Sequence, residues 1–575
     1  GRSDHTLYLA GTPALNFAFK EASQSDMANL VPIVCAVAIL FLILSFRRFS
    51  GVVLPLVVIG LTVIATMGFG GWFGFELNNL TSIVPQFMIA ISIAVAVHIL
   101  ASFFQFYQQG FEQKEAVTLT LSKNFLPTLL TSISTSVGFF SYAIGSEIPA
   151  IAKMGIMAGA GSLSAWVVCY FILGATLNIL PLKRKEGVIE ENPDLRPSER
   201  SIYFSKLIYK WKTQLLVFIV LATGLSIFLA SKVTVNSDPF KYFDDQYPLS
   251  IATDFMEKEI GSALGLEIVL DTNETDGIKD PAFLKKVDAY QNWILNYKEI
   301  TKTVSIVDIL KEMNKVLNGG TEDQYILPES KELVGQQLFL YTMNLPQGMD
   351  INNRVSIKND SLRLTAMTNS HNSVQVMNMI EEFEQKAKDM GLEAHVTGKF
   401  PLYLSNNGLV VKSFSISMSL AVFFISILLI FGLGNVKIGL LSILPNAIPL
   451  FIGAAVVYMT GRYLDIGTMI VGSVCLGIAV DDTIHFLANF KKFLDSGDDA
   501  KTAVAKVFTH TAPALITTTL VLVAAFATFA FASFIPNQNF GKFVALILSV
   551  ALILDLTVLP ALLLSFPQWF ENKKQ

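Results

Sequence analysis

The stretch GTMIVGSVCLGIAVDDTIHFLANF, residues 467–490, decides how this chain is built. It is apolar over more than the roughly 20 residues that a membrane-crossing helix needs. Yet Asp481, Asp482 and His485 stand together just past its midpoint. A charge at the centre of a spanning helix costs at least about 2.5–3.5 kcal/mol, so such residues are seldom kept without a role. A second stretch, TSIVPQFMIAISIAVAVHILASFF at residues 81–104, aligns with the first without a gap, Thr81 falling on Thr468 and His98 on His485. Nearly the same shift brings Pro127 onto Pro513, Thr131 onto Thr517 and Gly155 onto Gly541. The chain therefore contains two homologous halves. Parallel repeats related by an axis along the membrane normal are a transporter architecture, with coupling sites near the bilayer midplane.

Working outward, eleven segments are apolar enough to span, near 27–46, 52–74, 82–107, 125–145, 150–180, 213–231, 413–433, 437–459, 467–490, 511–533 and 540–566. Arg47, Arg48, Lys114, Lys123, Lys183, Arg184, Lys185, Lys210, Lys212, Lys437, Lys491, Lys492, Lys573 and Lys574 then fall on one side, which makes that side cytoplasmic. The polar segment 232–412 falls on the other, the periplasm of a bacterial inner-membrane protein. It carries two strand–helix–strand patterns, Leu266–Leu270, Pro281–Tyr297, Thr301–Val307 and Leu362–Met367, Ser373–Met390, Glu393–Thr397, which predict a ferredoxin-like α/β porter domain. The expected organisation is a first membrane block of five helices at 27–182, a cytoplasmic linker at 183–212 and the first helix of the second half at 213–231. The porter domain at 232–412 follows, then a second block of five helices at 413–566 and a cytoplasmic tail at 567–575. Leu9-Ala10-Gly11-Thr12-Pro13 is similar to Val396-Thr397-Gly398-Lys399-Phe400-Pro401 at the end of that domain, so residues 1–26 read as the end of a first periplasmic domain. On that reading a preceding helix and most of a domain belong to a longer parent with twelve spans.

Composition agrees: of 575 residues, 52% are hydrophobic and only 15% charged, too apolar for a polar-surfaced soluble protein. A net charge of −4 with mixed signs excludes a nucleic-acid partner of the basic-patch kind. Cys35, Cys169 and Cys475 all sit in apolar runs and offer neither a disulfide framework nor a metal cluster. The glycine-rich run Thr62 to Gly74 lacks the lysine of a phosphate loop, so the chain has no visible ATP site. No catalytic constellation, cofactor or metal is expected. The remaining energy source is the proton, worth about 2.3 kcal/mol per 100 mV of membrane potential.

Asp481 and Asp482 are the place to collect it. On a helix Asp481 lies four residues and Asp482 three from His485, so the imidazole can cover either carboxylate, and the acidic pair titrates as one coupled unit. The three together are the expected proton relay. The plainer reading is a buried polar knot that ties helices together with no change of protonation. In the first half Ala94 and Val95 stand at the positions of the two aspartates while His98 remains, either as packing or as a partner across the pseudo-two-fold. Thr517, Thr518 and Thr519, which match the hydroxyl-rich run after Thr131, either support the aspartates or bond back to their own helix.

These features resemble the branch of the resistance, nodulation and division superfamily that includes mycobacterial membrane protein large exporters and hopanoid transporters. Sterol-sensing and Patched-like proteins share its helix plan. The likeness rests on the duplicated plan, the large domain after the first helix of a half, Gly477-Ile478-Ala479-Val480-Asp481-Asp482, and Leu559-Pro560-Ala561-Leu562-Leu563 in the last span. It implies a polytopic α-helical membrane protein driven by protons taken at Asp481 and Asp482, with one coupling site per chain. The porter segment is shorter than in drug pumps, which favours export of lipids or other hydrophobic molecules over a multidrug efflux pump. A non-transporting lipid-sensing or assembly protein is the rival from another class. The partners implied are membrane lipids, a hydrophobic substrate, further copies of the chain in a dimer or trimer, and a periplasmic protein.

Overall fold

The computed structural model describes residues 6–182, 197–236, 238–262, 264–346 and 351–567. Residues 183–196 of the expected linker, with Lys183, Arg184 and Lys185, and 568–575 of the tail, with Lys573 and Lys574, lie outside the described residues, while 199–212 of the linker are the first part of the long helix Glu199–Ala230. The chain divides into two compact units, one of residues 19–235 and 409–575 and one of residues 1–18 and 236–408.

The first of these is a helix bundle. In chain order it is built from α1 (Thr12–Phe46), α2 (Phe49–Trp72), α3 (Val84–Gln108), α4 (Gln113–Gly145), α5 (Pro149–Val168), α6 (Gly174–Ile179) and α7 (Glu199–Ala230). After the second unit it resumes with the helices from residue 399 onward. Among the described residues ten helices are long and apolar enough to cross a membrane. The eleventh expected segment, 125–145, lies in α4, whose hydroxyl side chains from Thr128 to Ser141 lower its hydropathy although its length is sufficient. The apolar side chains on α7 face outward, Phe218, Val220 and Leu221 each being more than two-thirds exposed, as lipid contact requires.

The second unit holds α8 (Pro248–Glu259), β1 (Leu264–Asp271), α9 (Pro281–Ile294), β2 (Ile300–Val304), α10 (Ile306–Leu317), α11 (Lys331–Met343), β3 (Ser361–Thr368), α12 (Ser373–Asp389) and β4 (Glu393–Thr397). The sheet order β2-β3-β1-β4, antiparallel between all neighbours, interleaves the two strand–helix–strand units as in a ferredoxin-like fold. Alternation on β1 buries Leu264, Leu266, Ile268 and Leu270 under α9 and α12, where the Tyr290 hydroxyl donates to the carbonyl of Phe383 at 2.8 Å. The helical pair α10 and α11 between β2 and β3 was not among the expected elements. It begins at a capping box in which Ser305 and Asp308 satisfy each other's backbone amides.

The bundle resumes with α13 (Lys399–Leu433), α14 (Val436–Leu441), α15 (Ile443–Met459), α16 (Ile466–Asp495), α17 (Ala500–His510), α18 (Ala512–Ala527) and α19 (Ile535–Ser565). The repeat is visible in its detail. At the start of α16 the Asp465 carboxylate accepts the amide of Thr468, whose hydroxyl accepts the amide of Asp465, both at 2.8 Å. At the matching start of α3 the Asn78 side chain accepts the amide of Thr81 at 3.1 Å, and the Thr81 hydroxyl accepts that of Asn78 at 2.8 Å. The two helices so capped, α3 and α16, are the most enclosed of the bundle.

α16 crosses α4 at glycine. A Cβ added to Gly477 would lie 2.9 Å from the carbonyl oxygen of Ser134 and 3.1 Å from Cα of Thr135, and one added to Gly138 would lie 2.7 Å from the Ser473 oxygen. Only glycine lets the two backbones approach this closely. Ser134 and Thr135 then reach across to donate to the carbonyl of Gly477 at 3.3 and 3.1 Å.

Candidate functional site

Because α16 runs through the centre of its unit, successive side chains at about 100° per residue meet different neighbours. Asp481 turns toward α3 and α4, where a cavity of about 20 Å³, enough for one water, is lined by Asp481, Thr131, Ser132 and Thr135. Asp482 turns toward α18 and accepts a short hydrogen bond from the Thr519 hydroxyl. Thr483 turns toward α19 and donates to Asp555 at 2.8 Å while accepting from the Asn446 amide of α15 at 2.9 Å. Asp482 lies within electrostatic reach of both Asp481 and Asp555. Among the described residues no lysine or arginine is paired with any of the three carboxylates.

His485, one turn after Asp481, sits with Nε2 3.5 Å from the Asp481 Oδ1 atom. The alignment is too poor for a hydrogen bond, and both atoms are buried without a partner. No contact joins Asp482 to His485, since Asp482 is taken by Thr519. On its other side the His485 ring stacks on that of His98, with centroids 4.1 Å apart and planes 8° from parallel. The two positions matched by the internal repeat thus meet face to face across α3 and α16.

His98, Asp481 and His485 place three ligand atoms within 4.8 Å of one another, a spacing a metal ion could bridge. The stack argues against it. A bound ion lies along the nitrogen lone pair, in the plane of the imidazole, and one ion cannot lie in two nearly parallel, separated planes. Sharing an ion would require one ring to leave the stack, so these side chains as placed do not suit a metal.

Of the three threonines singled out, only Thr519 reaches a carboxylate. Thr517 bonds to the carbonyl of Pro513, and Thr518 to those of Ala514 and Leu515, the usual satisfaction of a helix hydroxyl within its own helix. Of the two readings open for these threonines, support of an aspartate fits Thr519, and bonding back to the helix fits Thr517 and Thr518. Asp555 and Asn446 were not expected. A lone acid in the apolar run Leu552-Ile553-Leu554-Asp555-Leu556 is itself a signal, by the same cost argument that marks Asp481 and Asp482. Asn446, an uncharged amide between two prolines, gives no such sign.

Comparison with known proteins agrees with this architecture. A relative from Methanocaldococcus jannaschii, named as a membrane protein and nothing more specific, is 25% identical over 294 residues, which is 50% of this chain and 71% of that protein. The profile of the MMPL family matches residues 2–180 and 361–575, which take in both membrane blocks, the motif at Asp481 and Asp482, and the last span. With matches over well over half its length, the chain belongs to the MMPL family.

Proposed function

We propose that the chain is a proton-driven exporter of lipids or other hydrophobic molecules, set in the inner membrane with residues 232–412 in the periplasm and 125–145 as an eleventh span. The observation that carries the reading is the cluster of Asp481, Asp482 and Asp555, enclosed between helices, with Asp482 and Asp555 held by the hydroxyls of Thr519 and Thr483 and none of the three paired with a cation among the described residues. A lysine can stabilise only the ionised state of a carboxylate. A hydroxyl offers one donor and two acceptors, so Thr519 and Thr483 can serve the carboxylate as donors and the carboxylic acid as acceptors. A proton can then come and go without leaving a buried polar group unsatisfied.

Because Asp481 and Asp482 face α3, α4 and α18 from α16, and Asp555 of α19 is tied to α16 through Thr483, a change of charge on them changes the packing between the two repeats. The glycine crossing of α4 and α16 is the contact at which such a shift would be felt first. His485 lies beside Asp481 and stacks on His98, which places an imidazole next to the carboxylate as a step for the proton. The hydrophobic cargo is argued from family membership and from the apolar outward faces of the bundle.

The test compares lipids of separated inner and outer membranes in wild-type cells, a deletion strain, and strains carrying Asp481→Asn/Asp482→Asn or Asp555→Asn. The expected result is the same lipid accumulating in the inner membrane in all three altered strains. Unchanged lipids with new sensitivity to unrelated drugs would replace lipid export by drug efflux. Full function of the carboxylate variants would favour a lipid sensor.

A further inference from the structure

A cavity of about 530 Å³ lies within the bundle between α3, α4, α16, α17 and α18, within the usual size range of small-molecule sites. Its chemistry is one-sided. Lys123, Lys492, His98, His485 and His510 line it, and no aspartate or glutamate does. Neighbouring lysines are satisfied elsewhere: Lys506 by Asp498 at 2.7 Å, and Lys491 by the carbonyl of Leu433 at 2.7 Å. Lys123 and Lys492 pair with no carboxylate among the described residues, and they are close enough to repel each other. Lys123 only rests over the ring of Phe106, 5.5 Å from its centroid. A second observation lies at the inner end, where the buried Nε2 of His98 has no hydrogen-bond partner.

Lys123, half-buried, and the exposed Lys492 bring two positive charges to one cavity wall that holds no carboxylate, an arrangement that favours a negatively charged ligand. The N-terminus of α18 opens on the same space through Thr511 and Ala514 and adds the positive end of a helix dipole. The Ser102 hydroxyl supplies a neutral donor beside it, while those of Ser496 and Thr509 donate to carbonyls of their own chain segments and face the space as acceptors. A ligand that satisfies all of these carries one or two negative charges spread over several acceptor oxygens. Phe46, Phe106, Phe493 and Pro513 in the same wall leave room for an apolar remainder.

We propose that this cavity binds a phosphate group, held between Lys123 and Lys492, belonging either to the head group of an anionic phospholipid or to a small soluble phosphate. The site shares His98 and His485 with the proposed proton path, and it is tested by binding and not by transport.

The full chain in detergent is titrated with phosphatidylglycerol and with phosphatidylcholine by native mass spectrometry, and with inorganic phosphate by calorimetry. Phosphatidylglycerol bound about tenfold more tightly than phosphatidylcholine, with the preference lost in Lys123→Gln/Lys492→Gln and kept in Lys123→Arg/Lys492→Arg, identifies a lipid head group. Phosphate bound by the wild type and weakened about tenfold by the same glutamine pair, with no preference between the lipids, identifies a soluble phosphate. Lys492 is exposed, so Lys492→Gln alone keeps the fold and should weaken binding about threefold if the double variant does not fold. The proposal is overturned if the wild type shows neither the lipid preference nor phosphate binding, or if the folded glutamine variants bind as the wild type does.

Discussion

Replacing Gly477 with alanine puts a methyl group where α16 meets the backbone of α4. The added carbon would lie 3.1 Å from Cα of Thr135 and 2.9 Å from the oxygen of Ser134. Carbon atoms at rest sit about 3.5–4.0 Å apart, so α4 must retreat by roughly 0.5 Å, and backbone atoms cannot swing aside as a side chain would. That retreat carries the hydroxyls of Ser134 and Thr135, now 3.3 and 3.1 Å from the Gly477 oxygen, to or past hydrogen-bond range. Overpacking of this kind costs about 1–3 kcal/mol and the weakened bonds about 0.5–1 kcal/mol more, giving about 1.5–4 kcal/mol in all. Cys475, fully buried two residues away, provides the assay. In a chain with Cys35 and Cys169 changed to serine, labelling of Cys475 by a thiol reagent requires α16 to open. Gly477→Ala should raise that rate roughly 10- to 700-fold at 25 °C. Gly60, whose added Cβ would meet nothing within 4 Å, serves as control, and Gly60→Ala should leave the rate unchanged or slower. A Gly477→Ala rate within about threefold of the parent would refute the close crossing as the reason for glycine in the motif.

Other consequences follow from single contacts. Thr519→Val removes the hydroxyl that meets Asp482, and proton movement by the reconstituted chain should fall about tenfold while Thr519→Ser stays near wild type; equal loss in both would show that the hydroxyl is not the cause. His485→Phe keeps a ring to stack on His98 but loses the nitrogen beside Asp481, so a folded variant with reduced proton movement supports a relay and one with full activity makes His485 a packing residue. In the α/β unit, burial alone would lower the His371 imidazole, but its hydrogen bonds to Asp238 and Glu257, with their charges, raise it from 6.5 to about 9. A value raised on folding stabilises fully below pH 6.5 and is lost as pH rises through 9, a contribution of about 3 kcal/mol. Amide exchange of the segments around Asp238 and Glu257, corrected for its intrinsic pH dependence, should therefore lose protection between those limits in the wild type and show no such step in His371→Gln. A step of the same size in the variant would remove His371 from the explanation.

Long-range organisation was legible because it is written in periodicity and repetition. The apolar runs had to be helices once they were 20 residues long, and the gap-free match of residues 81–104 to 468–491 fixed the two-fold plan. The four strands of the α/β unit were legible from alternation, and α10 was legible too, from Ile306, Val307, Leu310 and Leu317 at helical spacing, the capping box at Ser305 and Asp308 and Gly319-Gly320 after its end, whereas α11 is only weakly periodic. At the site, Asp481, Asp482 and His485 announced themselves by cost. What could not be read was direction: which neighbour each side chain meets depends on where α16 sits among the other helices. Hence Asp482 was expected beside His485 and is found on Thr519, and Thr517 and Thr518 turn back on their own helix. Asp555 could have been found and Asn446 could not, the first being a charge in an apolar span and the second an amide that only Thr483 explains.

The central claim is that a proton is taken up at the carboxylates of α16 and α19. Its most direct test is proton movement into liposomes that hold the purified chain and a trapped pH-sensitive dye, driven by a potassium diffusion potential and made with total lipid as the source of substrate. Wild-type chain should acidify the lumen faster than empty liposomes, and Asp482→Asn/Asp555→Asn, folded and inserted to the same level, should not. Equal acidification by wild type and variant would contradict proton coupling at this site.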